Sequence, residues 1–124
     1  MELDEFTRSY IETALWSSCD DKDVPLDSNY GIEEIAEECL KQMVDDCKAF
    51  QETNAEWINR EHCKKYDYTP AIRAGHDFWL TRCGHGAGFW DGDWSDEADK
   101  AMTTCSKAYG NVDLYVGNDG KIYC

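Results

Sequence analysis

Basic residues are scarce in this sequence. It contains 12 Lys and Arg against 26 Asp and Glu, so the formal net charge is −14 at pH 7. Because a surface of that charge repels nucleic-acid phosphates and anionic lipid headgroups, we expect no direct binding to nucleic acid or to a membrane. Long apolar runs are missing too, so the sequence predicts no transmembrane helix.

The sequence also lacks closely spaced cysteine pairs: none of its seven cysteines belongs to a C-x-x-C pair. The cysteine count is odd and the first residues are acidic, unlike those of a signal peptide, so a disulfide framework is not expected. The sequence therefore predicts a cytoplasmic protein whose cysteines are reduced and mostly structural. Cys39 and Cys47 lie on the apolar stripe of a predicted helix, where cysteine packs as a small hydrophobic residue.

The residues that are present can build a core. The chain has 124 residues, of which 42% are hydrophobic and 13% aromatic, and this predicts a single domain. Apolar residues at steps of three and four predict helices over residues 4–17, 32–52 and 95–109. Gly110 is the predicted C-cap of the third helix. Whether the second helix continues through Trp57 is left open.

Two hairpins are predicted in the second half of the chain. Aromatic and β-branched residues over 77–82 and 89–91 flank a glycine-rich turn. Residues 112–116 and 121–123 flank a turn whose Gly, Asn and Asp residues are typical of hairpins. The predicted fold class is therefore α+β, with the N-terminal helices and one later helix packed on a small antiparallel sheet of two hairpins.

Negative charge is concentrated in the helical half, residues 1–61. This half has 17 acidic and five basic residues, whereas residues 62–124 have nine acidic and seven basic residues. The acidic side chains of helix 32–52 lie off its apolar stripe, where spaced carboxylates can imitate DNA phosphates and occupy a basic groove. The alternative is an ordinary solvated face. The candidate partner-binding carboxylates are Glu33, Glu34, Glu37, Glu38, Asp45 and Asp46.

Aromatic residues are densest in the hairpin–helix–hairpin half, residues 76–124. Alternation along a strand would turn some of them outward, unless another element covers that face. Exposed aromatic side chains make good interface anchors. The candidate anchors are Trp79, His85, Trp90 and Trp94.

Three motifs of the same segment could carry chemistry, and each has a structural alternative. His76, Asp91 and Asp93 are candidate metal ligands, for which a His–Asp hydrogen bond and a capped turn are the alternatives. The glycine-rich run 84–88 lacks the helix and the lysine that a phosphate loop needs. Cys83 stands two residues from a histidine in one turn, without a third group to orient the pair. We assign no catalytic residue and expect no cofactor.

Three runs of the sequence resemble a known family. They are GHDFWLTRCGHGAGFWD at residues 75–91, YIETALWSS at 10–18 and VDLYVG at 112–117. Together they are similar to small acidic proteins encoded by tailed bacteriophages, which usually have Asn in place of Cys83 and a shorter loop in place of residues 61–74. The resemblance implies no activity and no catalytic residue. It implies a setting, which is phage infection in the cytoplasm of a bacterium.

These observations predict a phage-encoded, non-catalytic acidic protein that binds a bacterial host protein with a basic groove. We expect it to inhibit or redirect a nucleic-acid-handling enzyme or a defence complex by imitating DNA. Two alternatives stay open. One is a small ligand- or metal-binding protein, or an enzyme, that uses the segment from His76 to Asp93. The other is a structural assembly factor that forms a homodimer.

Overall fold

Within residues 2–124, which the computed structural model describes, the chain forms four α-helices and one two-stranded antiparallel sheet. Short 3-10 turns at Leu26–Ser28 and Ile32–Glu34 precede the second helix. The predicted α+β class is thus confirmed. No helix in this part of the chain is both long enough and apolar enough to cross a membrane. The elements are α1 (Glu5–Ser17), α2 (Glu37–Thr53), α3 (Pro70–Arg82), α4 (Asp96–Tyr109), β1 (Tyr115–Val116) and β2 (Ile122–Tyr123).

Side-chain caps begin three of the helices. Asp4 accepts a hydrogen bond from the Thr7 amide (2.8 Å), and Ser95 accepts one from the Ala98 amide (3.3 Å), so the predicted first and last helices are confirmed to within a residue. Thr69 caps α3, whose first residue is proline. Gly110 ends α4 with a φ of 79°, as expected for a C-cap glycine.

The second predicted helix is confirmed from Glu37 but not over residues 32–36. Ile35 is extended there, because it forms a parallel bridge with Ile122 of β2. The Ala36 amide donates to the Ile122 carbonyl (2.8 Å) in the same contact. The helix ends at Thr53 and does not continue through Trp57.

The first predicted hairpin is wrong, because the whole of its first strand, residues 77–82, lies in α3. Eight of the 13 residues of α3 are buried, so the helix has no polar face and no amphipathic stripe to identify it. Its aromatic and β-branched residues instead suggested a strand, and tertiary packing overrides that preference. The glycine-rich run 84–88 is a turn, as expected, but it leads from α3 into further turns before Trp94.

An aromatic core joins the helices. The rings of Phe50 on α2 and Phe78 on α3 stack with their centroids 4.1 Å apart, and Phe6 on α1 packs against both. Gly75 lets α3 approach α1, since a Cβ atom at this position would lie 2.2 Å from the Phe6 carbonyl oxygen. Trp79 is fully enclosed in the same core.

The second hairpin is confirmed, and it brings the chain end to α2. Tyr115 pairs with Tyr123 and Val116 with Ile122, around a turn in which Gly120 has a φ of 81°. Cys124 then forms a disulfide with Cys39 of α2. The prediction that the cysteines are all reduced is therefore wrong for this pair, because tertiary contacts bring together two residues that are 85 positions apart. The remaining cysteines are free: Cys19, Cys47, Cys63, Cys83 and Cys105.

Candidate functional site

Of the six predicted carboxylates, four are exposed and two accept hydrogen bonds from other residues of the fold. Glu33, Glu37, Glu38 and Asp45 are exposed, the last in an ion pair with Lys41 (3.0 Å). Glu34 is half-buried and accepts a hydrogen bond from the Gly31 amide (3.0 Å). Asp46 accepts a hydrogen bond from Arg82 (2.9 Å), so its charge is compensated within the fold.

Two of the four predicted anchors are not available to a partner. Trp79 is 1% and Trp94 2% exposed, because both lie in the helical core instead of on the outer face of a hairpin. The Trp79 indole N–H donates to the Ser17 hydroxyl and that of Trp94 to Asp77, both over 2.8 Å. His85 and Trp90 are exposed, and the Lys107 ammonium group lies over the Trp90 ring.

The predicted metal ligands are not brought together. The His76 ring nitrogen Nδ1 lies 3.0 Å from Asp77, not from Asp91. Asp91 accepts a hydrogen bond from the Gly88 amide (3.1 Å) and thus closes a turn, while Asp93 lies 3.8 Å from Arg73. Among residues 2–124, no group of three or more His, Cys, Asp or Glu side chains is arranged to hold a metal ion.

Asp77 is the most enclosed carboxylate of this region. It is 1% exposed, and its two oxygens contact the His76 ring and the Trp94 indole N–H. Burial raises the pKa of Asp77, although both hydrogen bonds oppose that shift. Asp77 therefore holds α3 against the segment that precedes α4.

A pocket of about 330 Å³ lies between α1 and α3, with Trp16, Tyr68, Arg73 and His76 among its lining residues. Its cationic group is already paired, because Arg73 donates two hydrogen bonds to Asp67 (2.9 and 3.1 Å). The hairpin on which the alternative ligand site at His76 to Asp93 depends does not form, since His76 lies on α3.

A surface that the sequence did not predict forms where the C-terminal hairpin meets α2. We call it the acidic tyrosine surface. Tyr115 and Tyr123 stack with their ring centroids 5.8 Å apart, and Tyr115 is 57% exposed. Glu37, Glu38 and Asp119 surround this pair across two grooves. The members of the acidic tyrosine surface are Glu37, Glu38, Tyr115, Asp119 and Tyr123.

The two grooves share Glu38 and Tyr123. The first, of about 380 Å³, also reaches Gln42, Asp46 and Tyr115. The second, of about 450 Å³, is shallower and also reaches Glu37, Lys41, Asp119 and Lys121. A third opening beside Tyr115 is lined by Asp20 and Asp21, so carboxylates lie on both sides of the tyrosine stack.

Two hydrogen bonds hold the carboxylate of Asp119 in place on this surface. The Tyr123 hydroxyl donates to Asp119 (2.5 Å), and the Lys121 amide donates to the other carboxylate oxygen (3.0 Å). The hydrogen bond from Tyr123 lowers the pKa of Asp119 and raises the pKa of Tyr123. Asp119 therefore stays ionised, and Tyr123 is held in one orientation beside it.

Only part of this surface had a signal in the sequence. The predicted strands 112–116 and 121–123 contain both tyrosines, but no register was predicted, and the pairing of Tyr115 with Tyr123 is seen only in the structure. The contact between the hairpin and α2 had no local signal, because it depends on the bridge between Ile35 and Ile122.

Comparison of the chain with models of protein families, with curated proteins and with solved structures finds no match. A proposal for the function therefore depends on the acidic tyrosine surface described above.

Proposed function

We propose that this chain is a phage-encoded, non-catalytic acidic protein that binds a basic groove of a bacterial host protein in the host cytoplasm. The groove belongs to an enzyme that handles nucleic acid or to a defence complex, and occupation of the groove inhibits or redirects that protein. The phage setting is supported by the resemblance of residues 10–18, 75–91 and 112–117 to small acidic phage proteins.

The observation that carries the proposal is the acidic tyrosine surface. None of the ion pairs in residues 2–124 involves Glu33, Glu37 or Glu38, so these charges are free to meet cations of a partner. The negative field around them steers a basic surface into contact. The stacked rings of Tyr115 and Tyr123 offer faces on which Arg and Lys side chains can pack.

The mode of action follows from the charge. A groove that normally binds the phosphates of DNA presents rows of Arg and Lys, and the exposed carboxylates occupy those positions. DNA and the protein then compete for one groove, and the competition weakens as salt screens both interactions.

The first test combines capture with competition. The protein is used to capture partners from bacterial lysate at increasing salt, and each captured protein is then tested for release by duplex DNA. We expect retention to fall with salt and DNA to release the partner. Capture that ignores salt, or a complex that DNA cannot dissociate, contradicts the proposal.

Matched charge variants locate the surface. Replacing Glu37 and Glu38 by Gln removes two charges from the acidic tyrosine surface, and replacing Glu52 and Glu56 by Gln removes two exposed charges elsewhere. We expect the first double variant to lose about tenfold in affinity for the captured partner, and the second to change it little. Equal losses would show that only the net charge matters.

A matched aromatic pair tests the tyrosines. Tyr115→Ser removes one ring of the stack, whereas Tyr66→Ser removes a ring that is 77% exposed in another part of the molecule. We expect weaker binding in the first variant only. Unchanged binding by the Tyr115 variant would remove the aromatic part of the proposed contact.

A further inference from the structure

We propose that the Cys39–Cys124 disulfide is a reversible thiol–disulfide exchange site that small thiols open from the Cys124 side, and that its opening loosens the acidic tyrosine surface. The exchange chemistry stands by itself. Only the effect on partner binding depends on the function proposed above.

The bond is accessible from one of the surface grooves. Cys39 and Cys124 both line the groove of about 380 Å³ that also contains Glu38, Asp46 and Tyr123. The two cysteines differ strongly in exposure, since Cys39 on α2 is 3% exposed whereas Cys124 is exposed at the chain end. A thiol in the groove therefore reaches Cys124 first.

This difference decides how the exchange proceeds. The attacking thiolate forms a bond to the sulfur of Cys124, the bond between the two cysteines breaks, and its electron pair leaves on Cys39, which takes a proton from water. A second thiolate then attacks the small-molecule sulfur of the mixed disulfide and releases the Cys124 thiol. Two small thiols are oxidised to one disulfide while the protein disulfide is reduced, and a small disulfide drives the reverse reaction.

The groove selects thiols by charge. Glu38, which belongs to none of the ion pairs in residues 2–124, lines it, and the whole protein has a net charge of −14. Cationic thiols therefore accumulate near the disulfide, whereas anionic thiols are repelled. The preferred co-reactant is a small aminothiol.

Opening the bond acts on the residues next to Cys124. Ile122 is fully buried, and its carbonyl accepts the Ala36 amide (2.8 Å), so β2 stays attached without the disulfide. The disulfide ties Cys124 to α2, whereas Tyr123 is held within the hairpin by its pairing with Tyr115 and its hydrogen bond to Asp119. Opening the disulfide therefore lets the Tyr123 side of the hairpin shift relative to Glu38 on α2.

The charge preference is tested by measuring how fast cysteamine and 3-mercaptopropionate, at equal thiolate concentration, reduce the Cys39–Cys124 disulfide. Each rate is divided by the rate at which the same thiol reduces 2-hydroxyethyl disulfide, a neutral reference, which corrects for the intrinsic reactivity of the thiol. We expect cysteamine to be ~10-fold faster at low salt, and the ratio to shrink at high salt and in a Glu38→Gln variant. A ratio of one at low salt overturns the charge preference.

Single cysteine variants test the site of attack. Cys39→Ser leaves the thiol of Cys124, and Cys124→Ser leaves that of Cys39, so both variants lack the disulfide and form a matched pair. We expect a small disulfide to label the first rapidly and the second slowly in the folded protein. In the wild type, mass spectrometry should find the mixed disulfide on the C-terminal peptide. Equal labelling rates, or a mixed disulfide on Cys39, overturn the proposed direction.

The effect on docking is tested with a nona-arginine peptide as the basic probe. We compare oxidised protein, reduced protein and a Cys39→Ser/Cys124→Ser variant, each checked for folding by circular dichroism. We expect the oxidised form to bind several-fold more tightly than the other two. Equal binding by all forms overturns the control of docking and leaves the proposed function intact. Absence of binding in every form contradicts the proposed function, while the labelling experiment decides the exchange chemistry independently.

Discussion

Around α3, aromatic and charged side chains are buried together, whereas around the C-terminal hairpin the same kinds of side chain face solvent. Arg82 is enclosed at the end of α3, where it donates hydrogen bonds to the Tyr10 hydroxyl (3.2 Å) and to Asp46 (2.9 Å). Tyr115 and Asp119 of the hairpin are exposed. The first region fixes the fold, and the second is free to meet a partner.

The difference has a physical cause. A buried cation needs partners in the protein because it has lost its water, and Arg82 also donates to the carbonyls of Tyr109 (3.1 Å) and Gly110 (2.8 Å) at the end of α4. An exposed ion pair keeps most of its hydration and stabilises little. Charges near α3 should therefore affect unfolding, and charges near the hairpin should affect binding.

The largest effect is expected for Arg82→Met. This substitution leaves Asp46 without its cation and two helix-terminal carbonyls without a donor, so the free energy of unfolding should fall by about 3 kcal/mol. Lys41→Met breaks an exposed pair with Asp45 and should cost no more than about 0.5 kcal/mol. Urea unfolding measures both values. Similar losses in the two variants would erase the contrast between the regions.

Gly75→Ala should be the next in size. Its added methyl group would meet the backbone of Phe6, so α1 and α3 must separate, at a cost of about 2 kcal/mol. Gly86→Ala is the control, because nothing lies within 4 Å of its Cβ position. Thermal unfolding compares them. A stable Gly75→Ala protein would mean that the two helices can shift without loss.

Asp77 should make stability depend on pH in a smaller way. Because burial raises its pKa in the folded state, the folded protein binds more protons than the unfolded chain just above the ordinary carboxyl pKa. The stability of the wild type should therefore fall, relative to Asp77→Asn, as pH rises from the ordinary pKa to the raised one. Urea unfolding from pH 4 to 7 tests this sign, and a relative rise would contradict it.

The smallest effect concerns the hairpin. Tyr123→Phe removes the hydrogen bond that lowers the pKa of Asp119, so this pKa should return toward its ordinary value while the fold persists. Tyr115→Phe keeps that hydrogen bond and should leave the pKa where it is. An NMR titration of the carboxyl group distinguishes the two variants. A large loss of stability in either variant would show that the hairpin stabilises the fold as the buried region around α3 does, and would contradict the comparison.

The predictions from sequence succeeded where neighbouring residues carry the signal. Caps and apolar spacing located α1 and α4, and turn chemistry located the second hairpin. They failed at α3, whose burial on nearly all sides removes the periodicity on which helix prediction depends. Trp79 was misplaced for the same reason, since its exposure was inferred from a strand that does not form.

By itself, the sequence determined the α+β class, the −14 charge and the abundance of carboxylates in the first half, because composition and short-range spacing decide these properties. Tertiary structure alone decided that Tyr115 and Tyr123 lie beside Glu38 and that Cys124 bonds to Cys39. Both results join parts of the chain that are far apart in sequence. Such contacts form when the packed core closes the intervening loop, which no local pattern encodes.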